Sequence, residues 1–329
     1  MKPILTHNLS EKQTLTPSAN LLVTPDIILP HQTALNDSYK LFMTQIVNKN
    51  TKASYANGIG LFFQCTQQND VADLIDIEPK HVSDFLSWMN ENEYGVATSR
   101  LYLSAVRMFL DHCVVDGLIS VNPAKAVKLP KQSSTTGKTP VIVPEQVRQI
   151  LDSIPRMTHA DYRDRALISV MVFSFFRISA ALSLSVKDYE LRGRQRWIVG
   201  EEKGSKRHEM PVHPTLEEYL DEYILFCKLT DPMAPLFPSS TARGGHLTER
   251  RFDRTAAWRM IRRRAKNAEV HRDIGNHSFR ATGITTYLNA GGSLEDARIM
   301  ANHSNATTTK LYDRTGDKVK IREVNRIQL

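Results

Sequence analysis

Between Pro130 and Pro140 the chain runs Lys-Gln-Ser-Ser-Thr-Thr-Gly-Lys-Thr, polar throughout and closed by proline at both ends. Such a segment has no apolar stripe to bury and no period to fold on, so it reads as a linker. It forces a two-part architecture on a chain of 329 residues, a length that itself suits two domains better than one. The expected division is a flexible arm over 1–32, a helical domain over 33–130, the linker over 131–140 and a second domain over 141–329.

Before the linker, four segments space apolar residues three or four apart, the period of a helix with one buried face. They are 35–47 with Tyr39, Phe42 and Ile46; 52–67 with Tyr55, Ile59, Phe62 and Phe63; a segment opening at Glu78-Pro79 with Val82, Phe85, Leu86 and Met89; and 97–115 with Leu101, Leu103, Val106, Phe109 and Leu110. After the linker, 143–154 reads as a helix entered at Pro144. The far more apolar 161–184 reads as a buried helix or helix pair. Segments 195–200 and 207–212 read as two strands joined by a polar turn that contains Gly204. Helices are expected again over 215–229, 250–267, 279–290, 294–301 and 307–312. The fold class is therefore mainly α with a small β-sheet: a helical N-terminal domain followed by an α+β C-terminal domain.

Charge is divided unevenly. Residues 1–130 carry 10 Lys+Arg against 12 Asp+Glu, a net of −2, and residues 131–329 carry 33 against 23, a net of +10. A polyanionic partner would be held mainly there. No run of 18 apolar residues lacks charge, so no membrane span is expected. The N-terminus has no apolar core of signal-peptide length. Cys65, Cys113 and Cys227 are far apart and form no CxxC pair, which fits a reducing cytoplasm and gives no zinc-ligand pattern.

Several residues in the second part are candidates for chemistry. Arg177 sits within the apolar run 166–184, and a cation there needs an anion, either a structural carboxylate or a ligand. Lys203 lies in the polar turn between the two strands. His277-Ser-Phe-Arg280 places two polar heads three apart, on one face of a helix. His303 precedes Tyr312 by nine residues, across a turn. Taken singly, each has an ordinary reading: an ion pair, a solvated turn lysine, a tyrosine filling an amphipathic core. No HExxH or matching carboxylate accompanies the histidines, so neither metal nor cofactor is expected.

The ordered set resembles the tyrosine recombinase family, which includes phage integrases and the Xer and Cre recombinases. That pattern has an arginine in a buried helix, a lysine on a β-hairpin, His-x-x-Arg, a second histidine or tryptophan, and a nucleophilic tyrosine nine residues later. Arg177, Lys203, His277, Arg280, His303 and Tyr312 match it, with steps of 26 residues from Arg177 to Lys203 and 23 from Arg280 to His303. The resemblance covers residues 140–329 firmly and the helical domain loosely. Three positions depart from it: Ala180 stands where the family usually has an acidic residue, Asn302 where it has glycine, and Ala281 where histidine is common. Asparagine accepts left-handed backbone better than other non-glycine residues, so the turn before His303 can survive.

The resemblance implies a site-specific recombinase or integrase that cleaves and rejoins DNA through a 3′-phosphotyrosine. Arg177 and Arg280 would hold the phosphate oxygens, each with a planar fork of donors. Lys203 would protonate the leaving 5′-oxygen, His277 would accept the tyrosine proton or orient the phosphate, and His303 would hydrogen-bond a phosphate oxygen. No cofactor is implied. The implied partners are double-stranded DNA with short inverted half-sites and three further copies in a tetramer, with a tail after Tyr312 that packs on a neighbour or on its own chain. Further DNA contacts are expected from the basic stretch 250–266, through Arg250, Arg251, Arg254, Arg259, Arg262 and Arg263. In the helical domain they are expected from Lys49, Thr51, Lys52, Arg100 and Arg107 near helix starts or on helix faces. Two other readings fit part of the pattern: a type IB topoisomerase that relaxes supercoils, and a non-catalytic DNA-binding regulator.

Overall fold

The computed structural model describes residues 33–68, 73–130, 139–202, 206–241, 246–270 and 273–313. The arm 1–32, most of the linker, the turn 203–205 with Lys203 and Gly204, and the tail 314–329 lie outside the described residues. The chain divides into two compact units, 1–133 and 134–329.

The first unit is built from α1 (Thr33–Thr44), α2 (Lys49–Gln68), α3 (Pro79–Glu91) and α4 (Val96–Val115). Their stripes meet in one core around Phe62, Phe63, Phe85, Phe109 and Leu110. Phe109 is its hub: the Tyr39 ring meets it edge-on at 5.6 Å and Phe63 at 6.1 Å. Leu101, expected in the stripe, is instead 39% exposed. Asn48 starts α2 by accepting from the backbone N–H groups of Asn50 and Thr51 at 3.0 and 3.1 Å. After α4 the chain is clasped from the side. Arg107 donates Nε to the Ala124 carbonyl at 3.0 Å and Nη2 to that of Val127, while Arg100 donates to that of Pro130.

The second unit contains α5 (Pro144–Asp152), α6 (His159–Phe173), α7 (Ile178–Ser183), an antiparallel sheet β1 (Tyr189–Arg192), β2 (Gln195–Glu202) and β3 (Lys206–Pro211), then α8 (Pro214–Cys227). A two-stranded ribbon, β4 (Pro238–Ser240) and β5 (Leu247–Arg251), leads to α9 (Arg254–Asn267), α10 (Ser278–Asn289), α11 (Leu294–Met300) and α12 (Ala306–Lys310). The apolar run 161–184 is a helix pair, with α6 buried on nearly every side and α7 short. The sequence pattern does not predict strands β1, β4 and β5. They are short, and charged residues fill half of β1 and most of β5. Arg250 and Arg251, expected at the start of a helix, belong instead to β5. The helix begins only at Arg254, where Asp253 accepts from the N–H groups of Thr255 and Ala256 at 2.8 and 3.0 Å.

Two devices hold α6 in place at its opposite ends. The first is a buried charge network. Asp164, fully buried, accepts from Arg163 at 3.1 and 2.7 Å, from Arg264 at 3.0 and 2.8 Å and from Arg263 at 3.2 Å. Arg264 also reaches Asp161 at 2.6 Å, and Arg163 reaches the Pro238 carbonyl at 3.1 Å. The network locks α9 and β4 to the first half of α6. The second is a close approach at the other end of α6. A Cβ on Gly283 of α10 would lie 2.1 Å from the Val172 carbonyl oxygen, so only glycine lets these helices meet.

Removing one partner from a buried ion network leaves uncompensated charge. Asp164→Ala is expected to cost about 3–5 kcal/mol of unfolding free energy. Asp273→Ala, which breaks an exposed pair with Arg262, should cost little. Urea titration of both variants in the full chain checks the contrast.

Candidate active site

The site forms where the C-terminal end of α6, the start of α10, the end of α11 and the tip of β2 converge. Helix α6 stops at Phe173, and Phe175 then adopts a left-handed backbone, φ 54°. That conformation is uncommon for a bulky residue. It turns the Phe175 carbonyl toward Arg280, whose Nη1 it accepts, and brings Arg177 to the N-cap of α7. Arg280, 2% exposed, spends its other donors nearby: Nη1 on Glu202 at 3.2 Å, Nη2 on the Ala301 carbonyl and on His303 Nε2 at 3.0 Å. Arg177 is half-buried. Its guanidinium meets Glu202, and its backbone N–H donates to the same carboxylate at 3.2 Å.

His303 follows α11 through Asn302, which takes the left-handed conformation expected of it, φ 49°. The His303 N–H donates to the Arg298 carbonyl at 3.0 Å and the Asn302 N–H to that of Ile299 at 2.9 Å, the paired bonds that finish a helix through a left-handed residue. The Asn302 amide also donates to the Arg207 carbonyl at 3.3 Å, tying this turn to β3. Because Arg280 donates to His303 Nε2, the ring proton sits on Nδ1, which faces the Thr309 hydroxyl at 2.9 Å. The Tyr312 ring lies against the His303 ring, centroids 5.8 Å apart and 12° from parallel. The Tyr312 carbonyl accepts from Thr285 of α10 at 3.1 Å. The fold thus brings Arg177, Arg280, His303 and Tyr312 together. His277, the N-cap of α10, stands one turn before Arg280. Lys203 lies outside the described residues; its neighbour Lys206 donates to Ser304, next to His303, at 2.7 Å.

The cluster is strongly cationic, and its imidazoles respond. Burial, then Arg280 and Arg177, push His303 down to about 3. Burial pushes His208 of β3 down to about 4, with Arg280 and Arg177 adding to it. Burial, then the cations Arg254, Arg280 and Arg177, lower His277 as well. Burial also lowers Arg280, as does Arg177 beside it, while Tyr312 opposes the shift. All three imidazoles are therefore neutral near pH 7, able to accept a proton or a hydrogen bond.

Two residues of the pocket, Glu202 and His208, are not candidates on sequence grounds. A signal exists in the alternation of β2, where Ile198, Gly200 and Glu202 share one face, and of β3, where His208 and Met210 do. Glu202 is 7% exposed and His208 2%. In the sequence the acid looks like part of a solvated turn because Glu201 and Lys203 flank it.

The DNA-binding candidates fall into two sets. Lys49 and Lys52 are exposed at the start of α2 and Thr51 is half-buried there; Arg250, Arg254 and Arg259 are exposed on β5 and α9. Arg254 is close enough to His277 to affect its protonation, and with Arg262 it lines a cleft of about 390 Å³ beside that histidine. The rest are partly engaged within the protein: Arg100 and Arg107 as clasps, Arg251 on the Leu184 carbonyl at 2.7 Å, Arg262 with Asp273, and Arg263 with Asp164. Any DNA contact from these would use their remaining donors. Among the described residues no three His, Cys, Asp or Glu side chains are placed to hold a metal ion, and no helix is long and apolar enough to cross a membrane.

Comparison with known proteins gives a consistent set of matches. Residues 140–318 match the phage integrase family, and residues 38–114 match the phage integrase N-terminal SAM-like domain. The chain is 25% identical to tyrosine recombinase XerD of Pseudomonas putida, over 83% of this chain and 89% of that protein. It is 29% identical to tyrosine recombinase XerC of Actinobacillus succinogenes, over 80% and 85%. Among solved structures, XerH site-specific recombinase bound to palindromic difH substrate aligns with a TM-score of 0.67 at 18% identity, covering 92% of this chain and 96% of that one. A lambda integrase dimer bound to a core site aligns at 0.65 and 17% identity, covering 88% and 99%.

The histidine shifts have a consequence for stability. In the unfolded chain these imidazoles take up a proton near about pH 6.5, whereas in the fold His208 resists to about 4 and His303 to about 3. Between those limits the unfolded state binds more protons, so stability falls as pH falls. His303→Gln removes one such group and should make that loss shallower. Urea midpoints at a series of pH values test this, and an unchanged slope would contradict it.

Proposed function

The chain belongs to the phage integrase family, and from that premise we propose that it is a tyrosine-type, site-specific DNA recombinase that works through a 3′-phosphotyrosine intermediate. The observation that carries this reading is the convergence of Arg177, Arg280, His303 and Tyr312, distant in sequence, on one buried cationic pocket. Phosphodiesters resist attack because their oxygens repel the nucleophile and the alkoxide leaves poorly. Two guanidiniums answer the first problem, and such positioned donors are worth ~3–4 kcal/mol each in comparable sites. Arg177, with a third of its side chain still exposed, is the one open to an arriving phosphate.

In the proposed step the Tyr312 phenolate oxygen forms a bond to phosphorus as the bond to the 5′-oxygen breaks. Neutral His277 takes the phenol proton, and Lys203 supplies a proton to the 5′-oxygen. A phosphate oxygen that captures Arg280 Nη2 frees His303 Nε2, which then turns to the phosphate once its proton has moved to that nitrogen. The number of phosphoester bonds is unchanged, so resealing by a new 5′-hydroxyl reverses the step without an energy source. Double-stranded DNA with short inverted half-sites and a tetramer on DNA are part of the same proposal. A lambda integrase tetramer bound to a Holliday junction shares this fold, with a TM-score of 0.63. Exchange of strands between sites separates this function from simple supercoil relaxation.

The test uses a nicked duplex carrying a half-site that the protein itself selects from random DNA. Wild type should form a covalent adduct visible on denaturing gels, and Tyr312→Phe should form none. Arg177→Ala should slow adduct formation by about 10²–10³-fold. Lys203→Ala should be slow on ordinary DNA yet near wild type when the leaving 5′-oxygen is replaced by sulfur, which departs without a proton. An adduct from the Phe variant would remove Tyr312 from its role.

A further inference from the structure

Every cation of the pocket needs a counter-charge when no DNA is present, and one carboxylate supplies most of it. Glu202 Oε1 accepts from the Arg177 backbone N–H at 3.2 Å and from Arg280 Nη1 at 3.2 Å, while Oε2 takes the Arg177 guanidinium. Its side chain is only 2% exposed. The remaining side is closed by His208, whose Nδ1 stands 3.5 Å from Oε1 and whose ring stacks on Phe176 at 4.3 Å. The opposite ring nitrogen of His208 faces the Met300 carbonyl at 2.8 Å and so carries the proton. Glu202 therefore ties the N-cap of α7, the helix α10 and the strand pair β2–β3 at one point, with α11 joined through His208.

We propose that Glu202 is the positioning residue of the catalytic pocket: it sets the spacing and orientation of Arg177 and Arg280 so that both face one phosphate. This rests on the recombinase reading above. Two positively charged forks repel at this separation, and a bridging carboxylate is what lets them stay adjacent in a dry pocket. Held by Glu202 through Nη1 of each, they keep a fixed geometry while a phosphate approaches Arg177 from its exposed side. Ala180, in α7 and buried, offers no charge to share that task. The carboxylate comes instead from the strand, at the residue directly before Lys203, so the brace for the phosphate and the proton donor for the leaving group are consecutive residues.

The expected signature is loss of rate without loss of grip. Glu202→Gln keeps the shape and removes the charge. At saturating nicked duplex it should form the covalent adduct about 10²-fold more slowly, the scale of a small misplacement of reacting groups, while the Kd for DNA shifts less than about three-fold, under ~1 kcal/mol. Glu202→Asp should recover part of the rate. Moving the carboxylate to α7, by adding Ala180→Glu to Glu202→Gln, should restore at least about ten-fold. A purely structural role predicts a lower melting temperature with a normal rate in the folded protein, and that outcome overturns the proposal. If Glu202→Gln does not fold, the relocated double variant decides: recovery of both fold and cleavage supports the assignment, and recovery of the fold without cleavage, or of neither, ends it. Failure of wild type to form any adduct would instead fell the recombinase reading itself.

Discussion

Taking a guanidinium out of water costs several kcal/mol unless its N–H groups find acceptors, and Arg280 is almost wholly buried. Its acceptors come from four places in the second unit: the left-handed Phe175 after α6, Glu202 at the tip of β2, the Ala301 carbonyl at the end of α11, and the His303 ring. Satisfying this one cation requires α6 to stop where it does, α10 to press against it through Gly283, and α11 to end in a left-handed turn. The pocket is thus a by-product of burying Arg280 correctly. A partly satisfied Arg280 would be worse than an apolar residue in its place, because a stray buried charge is dearer than apolar packing.

Much of this is legible in the sequence. The helical stripes of the first unit follow directly from the spacing of Phe62, Phe63, Phe85 and Phe109. The cluster Arg177, Arg280, His303 and Tyr312 is legible through the resemblance of its order and spacing to a known family, because taken singly each residue has an ordinary structural reading. Asn302 is legible for the same reason: its side chain tolerates the backbone the turn requires. Glu202 and His208 do not stand out. Their burial depends on pairing between strands and on partners 25 and 92 residues away, which a local pattern of charges does not reveal. The ribbon β4–β5 escapes because its residues are polar and its pairing depends on the fold, so Arg250 and Arg251 read as part of the helix that comes after them.

Formal charge is also a coarse guide to what the surface offers. Arg163, Arg165, Arg264 and Arg280 are buried, and Arg107 and Arg100 are drawn onto backbone carbonyls. These arginines contribute to the count of basic residues and yet hold the protein together, with guanidinium forks performing the role that apolar packing has elsewhere. The cations free to meet a polyanion are fewer: on α9, Arg254 and Arg259 are exposed while Arg264 points into the Asp164 network.

That arrangement makes α6 a strut. The network on Asp164 fixes it to α9 in its first half, and Phe175 and Arg177 follow directly on its end. The nine residues from Asp164 to Phe173 rise by roughly 14 Å at about 1.5 Å each. A buried ion network and a cationic pocket thus share one stiff element, and loosening the first would reach Arg177 through the helix itself rather than across the surface.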